Sequence, residues 1–153
     1  MPWLPVPPVI KSSVRKLCLT PYHNHPKGCP NYGKKEGCPP AAKMIGDVLD
    51  LGRSIYVIYN IFPFGRHVRF MRKRHPEWTK YQLRCVLYWQ GTARRQLKNE
   101  IGRFLQEFPK MTVVVTPEAC GVNVTATMKK AGIELEWPPK RFAYQVALAG
   151  FPQ

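Results

Sequence analysis

Carboxylates are what this chain lacks most: nine Asp and Glu stand against 24 Lys and Arg in 153 residues, a formal net charge of +15. So few acids, so scattered, argue against a two-metal hydrolytic site. Asp47 and Asp50 are three residues apart on a short predicted helix and read as its solvent side. No Ser-His-Asp order, no phosphate-cradling Gly-x-x-x-x-Gly-Lys loop and no Gly-x-Gly-x-x-Gly fingerprint occurs, so a hydrolase is not the expected class. No apolar run approaches the ~18 residues of a membrane span, and no membrane partner is expected. The opening, Met1-Pro2-Trp3-Leu4-Pro5-Val6-Pro7-Pro8, lacks a basic stretch and is too rich in proline for the helical part of a secretory signal, which points to the cytoplasm. Five cysteines are an odd number and rule out a fully paired disulfide framework. In a reducing compartment such thiols more often bind metal or do chemistry.

With 44% apolar residues the chain can build a hydrophobic core without metal or disulfide. Residues 1–17 read as a Pro-rich extended arm, and residues 18–153 as a single metal-binding domain that opens with an irregular loop over 18–40. A short helix is expected over Ala41–Leu51. Ser54–Phe62 is β-branched and aromatic almost throughout and reads as a buried strand ended by Pro63 and Gly65. His75-Pro76-Glu77 is a helix start. From there Cys85, Trp89, Ala93, Leu97, Ile101, Leu105 and Phe108 recur at spacings of three and four, one apolar stripe on a helix running to about Pro109. Met111–Val115 is a strand. Thr116-Pro117-Glu118 turns into a helix that Gly132 stops, and Ile133–Trp137 and Phe142–Leu148 are two more strands. The expected fold is α/β or α+β: a small mixed sheet of about four strands with packed helices.

The positive charge calls for an anionic partner, a nucleic acid or an acidic protein. It concentrates between Arg66 and Arg103. Arg66, Arg69, Arg72, Lys73, Arg74, Arg84, Arg95 and Lys98 are the candidate anion-binding residues, on the outward side of the elements that carry them. The interleaved aromatics Phe70, Trp78, Tyr81, Tyr88 and Trp89 suit base stacking in principle, but the helical phase places Trp89 in the core.

The segment Cys18–Pro40 carries the most chemical information. Cys18, Cys29 and Cys38, with His23 and His25, fall in a Pro/Gly/Lys-rich stretch that has no apolar periodicity and needs a staple to be ordered. Soft thiolates suit zinc or an iron–sulfur cluster. Glycine precedes Cys29 and Cys38 and lets the backbone turn closely. Proline follows each, as in some ferredoxin ligand runs, and stiffens the loop. Lys27, Lys34 and Lys35 offset thiolate charge. The cysteine gaps fit neither a standard zinc finger nor close ferredoxin spacing. Zinc through the three thiols and His23 or His25, a cluster with three cysteines and an open or distant fourth ligand such as Cys120, and plain packing all remain open on spacing.

The run Cys29-Pro30-Asn31-Tyr32-Gly33-Lys34 to Cys38-Pro39-Pro40, after an earlier cysteine, resembles the N-terminal signature of a family of uncharacterised predicted metal-binding proteins. Thr116-Pro117-Glu118-Ala119-Cys120-Gly121-Val122-Asn123-Val124, followed by Lys130-Ala131-Gly132, is similar to that family's Pro-Ser-Met-Glu-Ala-x-Gly-Ile-Asp-Val segment and the Ala-Gly that closes its helix. The resemblance implies a cysteine-bound iron–sulfur centre, a [4Fe-4S] cluster with Cys18, Cys29 and Cys38 as ligands, in a small α/β domain. It implies no activity. The family's second cysteine group is missing, since Arg94–Lys110 holds no cysteine, so one centre is the most expected here. Cys120 stands where the pattern has no cysteine, and reads as a helix-packing residue before a private fourth ligand. Three functions follow as expectations: an iron–sulfur protein with a redox or open-iron role on an anionic substrate, a zinc-stabilised nucleic-acid-binding module, or an accessory protein of a larger assembly. Oligomeric state is left open.

Overall fold

The computed structural model describes residues 1–21 and 25–153. Four strands form one sheet in the order β1-β2-β4-β3: β1 is Trp3–Pro5, β2 Ile55–Phe62, β3 Thr112–Val114 and β4 Ala143–Gly150. All three pairings are antiparallel, not mixed, so the fold is α+β. Five α-helices accompany the sheet: α1 (Ile45–Val48), α2 (Phe64–Arg74), α3 (Lys80–Arg84), α4 (Gln90–Glu107) and α5 (Val124–Lys130).

The central pair β2–β4 runs in register from Ile55 opposite Gly150 to Phe62 opposite Ala143. Strand side chains alternate in direction, and here both faces are covered. Ile55 and Val57 of β2 join Ile45, Leu49, Val114, Cys120, Val122, Val124, Met128 and Leu148 on one face. Ile58 and half-buried Tyr56 join Trp3, Leu97, Phe104, Met111 and Ala147 under α4 on the other. That double burial is why β2 reads as an unbroken apolar run.

The N-terminal arm belongs to this sheet. Trp3 is 7% exposed and meets Phe104 edge-on, with ring centroids 5.6 Å apart. Pro5 in β1, and Pro2 just before it, are tolerated because the strand lies on the sheet edge, where one side of the backbone needs no ladder partner. The long helix expected from His75 to Pro109 is interrupted. Thr79 caps α3 with a capping box, Cys85 has extended backbone, and Val86–Tyr88 forms a single 3₁₀ turn before α4 begins. Ile133–Trp137 is not a strand. Ile133 and Leu135 pack their apolar sides on the core, but this irregular segment pairs with no strand among the described residues.

Candidate metal centre and basic face

Cys18 sits near the end of a 3₁₀ helix, Ser12–Leu19, that packs on a second one, Pro117–Cys120. The cysteine loop is tied to the Ser12–Leu19 helix at two points and closed on itself at a third. The N–H of Cys29 donates to the Cys18 carbonyl at 2.6 Å, and the N–H of Gly33 to the Pro39 carbonyl at 2.7 Å. Arg15 ties down the far end, its guanidinium donating to the carbonyls of Pro40 (3.0 Å) and Ala42 (2.6 Å). The staple that the loop needs is therefore supplied in part by an arginine that the composition of the loop did not announce.

Gly28 makes the first of these contacts possible. Its φ of +84° lies in the left-handed region, and a Cβ there would fall on the Cys18 carbonyl oxygen and within 2.6 Å of the Leu19 carbonyl carbon. Only glycine lets the two backbone stretches approach so closely.

This arrangement brings three thiols into one electrostatic neighbourhood. Burial pushes the Cys18 thiol pKa up, and the Cys29 thiol, the Cys38 thiol and the Glu118 carboxylate each push it further. Negative charge on any of these neighbours disfavours a thiolate at Cys18. Desolvation raises the pKa of Glu118 above the ordinary carboxylate value. His25 lines a cavity of about 420 Å³ together with Cys29, Lys27 and Lys34. His23 lies outside the described residues. Among the described residues, no three Cys, His, Asp or Glu side chains are gathered tightly enough to ligate one ion as they stand. The thiols are soft-metal donors by residue type, and they are not gathered into a ligand set as they stand.

Cys120 is buried in the core beside Val122 and Met128. Burial raises its pKa, with Arg15 opposing and Glu118 adding to the shift. Cys85 is half-buried at the junction of α3 and the following turn.

The predicted basic residues divide between helices. Arg66, Arg69, Arg72, Lys73 and Arg74 belong to α2, Arg84 ends α3, and Arg95 and Lys98 lie on α4; all are exposed. Among the described residues none of the eight is in an ion pair: the pairs present are His75–Glu77, Arg103–Glu100 and Arg141–Glu136. Arg84 instead donates to the Pro139 carbonyl at 2.7 Å and lies over the Phe64 ring. Trp89 is buried and stacked on Phe62, whereas Phe70, Tyr81 and Tyr88 are exposed. His67 lies in the first turn of α2. It is half-buried between the Phe62 and Phe64 rings, its Nε2 has no hydrogen-bond partner, and burial lowers its pKa.

Reasoning from sequence passed over Lys140 and Arg141. Both stand beside Arg66 and Arg69 around one cavity. The only signal was two adjacent cations after a Pro-Pro pair.

Among the described residues, no helix is long and apolar enough to cross a membrane. Comparison with known proteins returns nothing: no family profile, no curated protein and no solved structure matches the chain.

Proposed function

We propose that this chain is a metal-centre protein that holds an iron–sulfur cluster, with zinc as the alternative metal, through Cys18, Cys29 and Cys38. The observation that carries the reading is the backbone contact that brings Cys29 against Cys18, N–H to carbonyl at 2.6 Å, in a loop whose three thiols are soft-metal donors. Lys27 and Lys34 sit beside Cys29 around the same cavity and balance the charge of several thiolates, which favours a cluster carried by cysteine alone. His23 and His25 compete for a fourth position, while the core packing of Cys120 removes it from the ligand set we favour. The centre forms by closure of the loop, and Gly28 and Arg15 hold the loop near its closed shape beforehand. A cluster at this place supplies electron transfer when fully ligated, or a Lewis-acidic iron when one position is left to substrate.

Charge supports a second element of the reading: an anionic partner, nucleic acid or acidic protein, on the exposed and unpaired cations of α2, α3 and α4. The cytoplasm is the proposed compartment, since free thiols and labile clusters persist under reduction.

The ligand assignment is tested by metal content in five single variants. Cys18→Ser, Cys29→Ser and Cys38→Ser are expected to lose metal and to loosen residues 18–40 toward protease. Cys85→Ser and Cys120→Ser are expected to keep it. A Cys38→Ser protein with full metal content and native protease resistance overturns the assignment.

A further inference from the structure

The N-terminal end of α2 and residues 140–142 line a cavity of about 290 Å³ whose walls include Arg66, Arg69, Lys140 and Arg141. Arg66 and Arg69 are three residues apart and so share one side of the helix. The facing segment is fixed against them. The Glu136 carboxylate accepts hydrogen bonds from the N–H of Arg141 (3.1 Å) and of Phe142 (2.9 Å), and the Arg141 carbonyl accepts one from the N–H of Gly65 (3.0 Å). Glycine at 65 permits this contact, because a Cβ there would lie 3.0 Å from the Lys140 carbonyl oxygen and 3.4 Å from the Arg141 Cα.

Four cations held around one small cavity repel one another unless an anion sits among them. Glu136 answers only Arg141, at 3.7 Å. Arg66, Arg69 and Lys140 have no ion-pair partner among the described residues. The start of α2 has no side-chain cap and adds its positive dipole end to the same region. Guanidinium forks pair with phosphate oxygens in two-point contacts, and a lysine ammonium serves as a point charge beside them. The volume lies at the lower end of small-ligand sites, and the exposed ring of Phe142 gives one apolar wall.

We infer that this cavity is a phosphoryl-group site that takes one or two linked phosphates. It is the point on the basic face where the charged end of the anionic partner is anchored. The inference rests on the basic-face part of the proposed function and is independent of the thiol centre. The phosphoryl group belongs either to a free small molecule or to the end of a nucleic acid.

Calorimetric titration of the full chain with pyrophosphate at ~0.15 M salt tests it. Binding is expected, weakened by about tenfold or more in Arg69→Ala and in Lys140→Ala, and changed less than about twofold in Lys129→Ala and Lys130→Ala at the end of α5. All four positions are exposed, so the fold survives each change. Parallel titrations with a short single-stranded oligonucleotide, with and without a 5′-phosphate, separate the two sources. A preference for the phosphorylated end that disappears in Arg69→Ala assigns the site to a nucleic-acid terminus. Pyrophosphate binding with no such preference assigns it to a small molecule. If the oligonucleotide binds while pyrophosphate does not, the cavity inference is wrong and the basic-face reading stands. If neither binds, or if the α5 variants lose as much as the cavity variants, the cavity site is overturned. Absence of any binding takes the basic-face reading with it.

Discussion

Replacing Gly28 with alanine should damage the cysteine loop more than any other single-methyl change in it. Two costs add. A non-glycine residue at φ +84° costs about 1–2 kcal/mol. The new Cβ also lies within 2.6–2.7 Å of Leu19 backbone atoms, where ordinary contact begins at 3.4 Å, so one strand of the loop must retreat by roughly 1 Å. That retreat breaks the 2.6 Å bond from Cys29 N–H to the Cys18 carbonyl, worth about 1 kcal/mol. The sum is about 3 kcal/mol, or roughly two decades in the equilibrium between held and open loop. Two neighbours grade the effect. Gly33 has φ +73° and open space around it, so Gly33→Ala meets only the conformational cost of about 1 kcal/mol. Gly37 has neither a positive φ nor a close neighbour, and Gly37→Ala should behave as wild type. The assay is the rate of tryptic cleavage at Lys27, Lys34 and Lys35, paired with a zinc competition titration against a chelator. The expected order of damage is position 28, then 33, then 37, with cleavage up to about a hundredfold faster for the first. If Gly28→Ala is cleaved and loads metal like Gly37→Ala, the close approach of Cys18 and Cys29 is not what shapes the site.

Elsewhere, Phe104 is fully buried and its ring meets those of Trp3, Tyr56 and Phe108 at 5.6, 5.5 and 4.7 Å. Phe104→Ala should cost about 3–5 kcal/mol in chemical denaturation, and a loss below about 1 kcal/mol would contradict the packing of α4 and the N-terminal arm on the sheet. Asn123 caps α5 through its side-chain oxygen and the Ala126 N–H at 3.0 Å, so Asn123→Ala should cost about 1 kcal/mol by the same measurement. The Glu136 pKa is held below the ordinary carboxylate range, first by the Phe142 N–H and then by Arg141. A depressed native pKa adds stability above the unfolded-state value, and this is lost as pH falls through the native one. Glu136→Gln should therefore be less stable than wild type at neutral pH, with the gap closing on acidification. A gap that stays constant down to about pH 3 would refute the carboxylate's role.

Local pattern located β2, β3 and β4 because their apolar, β-branched runs lie between covered faces of the sheet, which local sequence records directly. It located the core side of α4 for the same reason: Trp89, Ala93 and Leu97 are buried as the stripe requires. The break at Cys85–Trp89 was hidden because residues on both sides keep helical spacing. Helix α2 was hidden by its charge, since its inner stripe is only Phe64, Val68 and Met71 among five cations. β1 was hidden by prolines that an edge position tolerates. Ile133–Trp137 shows the converse error: alternation reports side chains lying on a core, and hydrogen-bonded pairing is a separate matter. At the site, the thiols were legible as residue types. Their placement depends on Arg15, Gly28 and the packing of two 3₁₀ helices, contacts between distant positions that no local pattern encodes. The cation cavity is of the same kind, joining positions 66–69 to 140–141.

The central claim is a metal centre at Cys18, Cys29 and Cys38, and the most direct test is anaerobic purification followed by a visible spectrum and metal analysis of one sample. The account predicts brown protein with iron and acid-labile sulfide in equal amounts. Colourless protein with one zinc would reject the cluster and leave a structural metal, whereas folded protein free of any metal would contradict the claim outright.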